Sequence, residues 1–397
     1  MALSRGVAFV GTIWTGGEAE PVPGVVVVDG AGRITDIRSE RDGLPSELLV
    51  LGGVNHWVVP GLVDAHVHLS LLADTDRHSD ADRHSGADAD WHSGADAQVP
   101  VTGLETGLVG TRDLGGPLQL ALRRRTGHRS PPAGWPFVAV SGPVLTAPGG
   151  YPVGSWTGAG FAEFVTSPVQ ARWAVQRLAA DGVDLIKIVL DPGPDARPVP
   201  PPTVVRAVVQ AAHQAGLPVV ARALTAELVG RAVDAGIDEL AHTPTERLSP
   251  ALVERIASSG MSVASTLQLS FSTGAGRNAA ANAADLVGAG VRLLYGTDLA
   301  GTAAAPGVDP RELDRLAAAG LGRLGALRSA TEWSATAAGM RRRTGRLRVG
   351  EPAALVLLPS SPLVEPGVWR TPSAVFADGR LTVSPNAPNH RAAWRPT

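Results

Sequence analysis

The chain has 397 residues, 44% of them apolar and 18% charged, a balance suited to a soluble globular protein with a sizeable core. Its net charge of −2 offers no broad basic field to nucleic acid or an anionic membrane, and no stretch approaches the ~18 unbroken apolar residues of a membrane span. There is no cysteine, which excludes disulfides, thiolate metal ligands and a cysteine nucleophile and is compatible with a cytoplasmic setting.

The N-terminal stretch "VAFVGTIWTG" lacks the sustained apolar region of a signal peptide and reads as a strand. "GVVVVDGAGRITDIR" and "LLVLGGVNHWVVPG" follow as short strands with glycine-containing turns, and "PAALVLLP" and "PSAVFADGRLTVS" near the C-terminus have the same character. The two ends, residues 1–58 and 345–397, are expected to meet as one small β-sandwich domain, with a barrel of residues 59–344 inserted between them. "GLVDAHVH" at 61–68 is the first barrel strand expected. Residues 74–97 form an imperfect Asp-, His- and Ser-rich repeat. His78, His84 and His92 within it are unevenly spaced, so the segment reads as a low-complexity insert and not as a metal site.

"LVGTRDLG" at 108–115 and "PFVAVSG" at 136–142 are the next two strands. The triplet of arginines at 123–125, like that at 341–343, reads as the solvated end of a helix. From Gly182 to Asp298 one pattern then repeats: a helix ends at a glycine and a strand of about five residues follows. The instances are "DGVDLIK", "AGLPVVAR", "AGIDELAH", "SGMSVAST" and "AGVRLLYGTD", with Gly182, Gly216, Gly236, Gly260 and Gly290 as the helix terminators. In the intervening helices, helical spacing puts Val169, Trp173, Val175 and Leu178 on one face, and Leu228, Val229, Ala232 and Val233 on one face of the next, which Thr225 caps. Eight strands alternating with helices over about 240 residues make a closed (β/α)8 TIM barrel, whose active site forms at the C-terminal strand ends. Those ends carry His66 and His68, Arg112, Lys187, Arg222, His242, Thr266 and Asp298.

His66 and His68 stand two apart on a strand, so both imidazoles point to the same face. Two histidines on a buried face need partners, and metal ligation supplies one. Asp298 ends the last strand, which in a closed barrel lies beside the first, so its carboxylate can reach the same metal or take a proton from water there. Of 35 Lys and Arg residues only Lys187 is a lysine, and it lies within the apolar strand pattern "GVDLIKIVLD". Either chance and snorkelling place it there, or the position needs a primary amine, which arginine cannot supply.

"PGLVDAHVHLS", the strand lysine in "DLIKI", "ELAHT" and "YGTD" resemble the amidohydrolase superfamily, and the terminal "GVVVVDGAGRITDI" and "VGEPAALVLLPSSPL" resemble its split β-domain. The resemblance spans the chain apart from the repeat insert and is closest to the imidazolonepropionase-like and prolidase-like branch. It implies a metal-dependent hydrolase of carbon–nitrogen bonds in a small-molecule substrate: an amide, a cyclic amide or a dipeptide-like compound attacked by metal-activated water. It implies one or two divalent ions, zinc by default with manganese, iron and nickel as alternatives. His66, His68 and Asp298 would hold the inner ion, His242 the outer one, and Lys187, carbamylated by CO2, would bridge them. Asp298 would also shuttle the proton, and Tyr151, in the loop "TAPGGYP", is a candidate substrate contact. A homo-oligomer is compatible with the sequence.

Arg222 departs from that pattern, because it stands where the strand-five metal-ligand histidine is expected. A guanidinium has no lone pair to give. At about 5 Å it repels a divalent ion by roughly 6 kcal/mol at an effective dielectric of about 20, about four decades in affinity. Three readings stay open: a one-ion hydrolase in which Arg222 replaces the second cation and orients a substrate carboxylate or carbonyl, a two-ion hydrolase with Arg222 turned away, and a catalytically degenerate barrel that binds a ligand or partner.

Overall fold

The computed structural model describes residues 6–39, 44–71, 106–125, 137–152, 160–193, 195–299 and 307–383. The repeat at 74–97, with His78, His84 and His92, lies outside the described residues. No helix among those described is long and apolar enough to cross a membrane.

The two ends of the chain build one sheet. Strands β1 (Val7–Ile13), β2 (Val22–Val28), β3 (Ile34–Arg38) and β4 (Leu49–Pro60) come from the N-terminal part. β15 (Leu355–Leu358), β16 (Ala374–Ala377) and β17 (Arg380–Val383) come from the C-terminal part, and the order is β17-β16-β15-β4-β1-β2-β3. The expected sandwich takes the form of a single rolled sheet. Its far edge curls back, with Ile34 N–H donating to Glu351 O and Gly350 N–H to Ile34 O, so that Val7, Phe9, Val26, Ile34, Leu355 and Phe376 enclose one core.

Eight parallel strand positions form the barrel. They are β5 (Leu62–Val67), β6 (Leu108–Asp113), a third strand in two pieces, β7 (Phe137–Val140) and β8 (Val144–Thr146), then β10 (Ile186–Val189), β11 (Val219–Arg222), β12 (Glu239–Leu240), β13 (Ser262–Ala264) and β14 (Leu293–Leu294). The short β9 (Ala162–Phe164) pairs with β8 outside this ring. Asp184 N–H donating to Val140 O joins the third strand to the fourth, and Ala65 N–H donating to Tyr295 O closes the eighth onto the first. These strands are buried runs of Val, Ile, Leu and Ala, as expected where helices cover the outer face of a parallel sheet.

The local signals behind this order are physical. Gly182, Gly216, Gly236, Gly260 and Gly290 all have positive φ, as the repeated helix–glycine–strand pattern requires. Ser167 and Ser249 accept from the backbone N–H three residues on, each followed by a proline at the first helical position, and Thr225 accepts from Leu228 N–H in the same way. The expected face of the helix at Pro168–Asp181 is corrected at two positions. Val169 and Trp173 point to solvent, while Ala171, Ala174, Val175 and Leu178 pack inward. The arginine triplet at 123–125 is also less solvated than expected: Arg125 grips the Asp184 carboxylate at 2.7–3.0 Å and Arg124 reaches the Ser70 hydroxyl.

Candidate metal centre

The site is assembled where β14 runs beside β5. Asp298 N–H donates to His66 O at 2.8 Å and His68 N–H to Leu299 O at 2.9 Å. Gly296 permits this approach, since a Cβ there would lie 3.0 Å from His66 Cβ. Buried Asp64 pins the join, accepting from His66 N–H, Thr297 N–H and the Thr297 hydroxyl, the last at 2.5 Å. Burial raises its carboxyl to about 7.

His66, His68 and Asp298 then converge. Each offers one ligand atom, all within 4.8 Å of one another and all on buried residues. His66 Nε2 is 3.2 Å from His68 Nε2, and Asp298 Oδ1 lies 3.4 and 3.3 Å from the two. His66 Nδ1 donates to Ala241 O at 2.6 Å, so in the neutral ring the lone pair lies on Nε2 and faces its two companions. His68 bonds to the backbone of Gly115. Burial, helped by the Lys187 charge, holds both rings below their ordinary range, His68 at about 3, so both are neutral donors at physiological pH. Burial raises Asp298, against the pull of Arg222 and Lys187. Two neutral imidazole nitrogens and a carboxylate oxygen meeting in a buried pocket suit a divalent ion.

The opposite wall carries the remaining residues expected from sequence. Lys187 is buried on β10, and burial, with Arg222 and Arg112 nearby, lowers its amine to about 7 against Asp298 and Glu239. Arg222, half-buried at the end of β11, donates from Nη1 to His242 Nε2 at 2.8 Å. His242 Nδ1 meets Thr266 Oγ1 at 3.0 Å, and burial and Arg222 hold the His242 ring well below its ordinary range. The Tyr151 ring lies 4.9 Å from the guanidinium carbon, in cation–π range. The His66 and His242 ring centres are 4.6 Å apart, so the two walls face each other across one cavity of about 210 Å³. Val144, Val189, Leu224 and Leu269 supply its apolar lining, which the spacing of the motifs did not reveal.

Arg112 belongs elsewhere. Expected among the strand-end residues of the site, it points toward the N-terminal ends of β12 and β13 and forms a two-pronged ion pair with Glu239, with Nε donating to Ala65 O. The signal was in the sequence: an arginine in "LVGTRDLG" and a glutamate in "GIDELAH", each inside a buried strand, need each other.

Comparison with known proteins agrees with this fold. A Xaa-Pro dipeptidase solved with methionine in its active site superposes with a TM-score of 0.77 at 20% identity, over 96% of this chain and 100% of that one. A candidate prolidase from Bifidobacterium longum gives 0.76 at 26% identity, over 96% and 95%. Ochratoxinase from A. niger gives 0.75 at 20% identity, over 96% of each chain. No curated relative matches at significant similarity. The amidohydrolase family model matches residues 139–382, more than half of the sequence, and the chain belongs to the amidohydrolase family.

Proposed function

We propose that the protein hydrolyses a carbon–nitrogen bond in a small amide, cyclic amide or dipeptide-like substrate, using one divalent ion held by His66, His68 and Asp298. Zinc is the default for this donor set. Bound there, such an ion supplies Lewis acidity to water and to the scissile carbonyl. Asp298, its carboxyl raised by burial, is suited to take a proton from the attacking water and return it to the leaving nitrogen. Arg222 lines the same cavity, where its guanidinium charge is suited to orient a substrate carbonyl or carboxylate, and Tyr151 backs it. The Lys187 amine, lowered to about 7, retains a large neutral fraction at physiological pH, the form that CO2 can carbamylate. The dipeptidase and the ochratoxinase that share the fold support the substrate class.

The contact that carries the one-ion reading is Arg222 Nη1 on His242 Nε2. A guanidinium only donates, so it consumes the lone pair that an outer ion would need, and it brings its own positive charge. Metal content of the purified protein after exposure to excess zinc tests the reading. One ion per chain is expected, becoming two in Arg222→His. Two ions in the parent would contradict it, and none would favour a degenerate barrel that binds a ligand or partner.

A further inference from the structure

We propose that Thr297 is a positioning residue whose hydroxyl, seated on Asp64, sets the backbone of Asp298 so that its carboxylate meets His66 and His68; this rests on the reading above that the three hold an ion. The starting point is the backbone of Asp298. Its φ is +54°, in the left-handed region that residues other than glycine seldom occupy, aspartate less seldom than most. Two bonds tie this corner to β5: Asp298 N–H donates to His66 O at 2.8 Å and His68 N–H to Leu299 O at 2.9 Å. The peptide group between Asp298 and Leu299 is placed by neither.

Thr297 places it. Leu299 N–H donates to Thr297 Oγ1 at 3.2 Å, which closes a side-chain turn around Asp298. The hydroxyl gives its own proton to Asp64 Oδ2 at 2.5 Å. Asp64 Oδ1 accepts Thr297 N–H at 3.1 Å and His66 N–H at 3.0 Å. One buried carboxylate therefore sets two ligands against each other, His66 through its backbone and Asp298 through the Thr297 hydroxyl. Asp298 Oδ1 stands 3.4 and 3.3 Å from the two ring nitrogens, and ligand distances tolerate only about 0.2 Å, so a small shift of the corner matters. Asp64, Thr297 and Leu299 are all buried. Valine at 297 fills the same space, but it leaves Leu299 N–H unpaired and the turn open.

Zinc affinity of the full-length protein, measured by competition against a chelator, tests this in the parent, Thr297→Ser and Thr297→Val. Serine keeps the hydroxyl and should bind zinc as the parent does. Valine should weaken binding by about 10–100-fold, the scale of a lost partner behind a metal ligand. The visible absorption of the cobalt(II)-loaded protein reports ligand geometry, which general destabilisation does not move; it should change in Thr297→Val and not in Thr297→Ser. Thr297→Ala removes the same hydroxyl with less crowding and serves if the valine variant fails to fold. A folded valine or alanine variant with parental affinity and spectrum overturns the proposal, and so does a serine variant that behaves like valine. The outcomes separate the two ideas. A parent that binds no zinc overturns the metal reading and this proposal with it, whereas zinc bound equally well without the hydroxyl removes only the role of Thr297.

Discussion

The two walls of the barrel mouth have the same architecture and opposite electrostatics. On the β5–β14 side, three lone-pair donors meet within 4.8 Å and call for a cation from outside. On the β11–β13 side, a cation is already built in, and its hydrogen bond has taken the histidine lone pair. Equivalent strand ends can therefore present a ligand or a fixed charge, and replacing one residue decides which. The fold determines where the side chains meet, while their charge determines what they can hold.

The first way to break this contrast is to damage the acceptor wall. His66→Ala is expected to weaken zinc binding by more than about a hundredfold, beyond what loss of an outer-sphere partner costs. Competition against a chromogenic chelator measures it, and unchanged affinity would mean that the ion sits elsewhere. A second test asks whether the contrast depends on the ion pair within the barrel. Glu239→Gln strands the Arg112 charge in a buried setting and should cost about 3–5 kcal/mol in urea unfolding. Replacing both partners by Met and Leu should cost less than Glu239→Gln does.

The third prediction concerns pH. The carboxyls of Asp64 and Glu312 are both raised to about 7 by burial, above their unfolded values. The folded protein therefore binds more protons than the unfolded chain between about pH 4 and 7. Their contribution is full below the unfolded pKa values and is lost as pH rises through the folded ones, at up to about 1.4 kcal/mol per pH unit for each group. The buried neutral histidines act in the opposite sense, so the test is a difference: relative to the parent, Glu312→Gln should gain urea stability from pH 5 to pH 7.5, and an identical pH dependence in the two would contradict the assignment. The smallest effect serves as a control. Thr225→Ala removes a cap from the helix after β11 without touching the cavity, so it should cost about 1 kcal/mol and leave metal content unchanged.

Much of this was readable in the sequence because the signals are local. The helix–glycine–strand pattern fixed the strand order, and the His-x-His spacing placed both imidazoles on one face. Helix faces were less legible. Trp173 and Val169 have apolar side chains at helical spacing, yet alanines at 171 and 174 make the inner face, because the helix packs close to the barrel. The contacts across strands were not legible at all. That His242 spends its two nitrogens on Arg222 and Thr266, and that Glu312 from a distant helix clamps the Thr266 corner, are facts of tertiary packing. Sequence could show that Arg222 stands where a ligand was expected, but not what the guanidinium holds.

The most direct measurement is the zinc content of the parent and of Arg222→His, each purified, saturated and freed of loose metal. The guanidinium-for-cation account predicts one ion per parent chain and two in the variant. Two ions in the parent, or no gain in a folded Arg222→His protein, would contradict it.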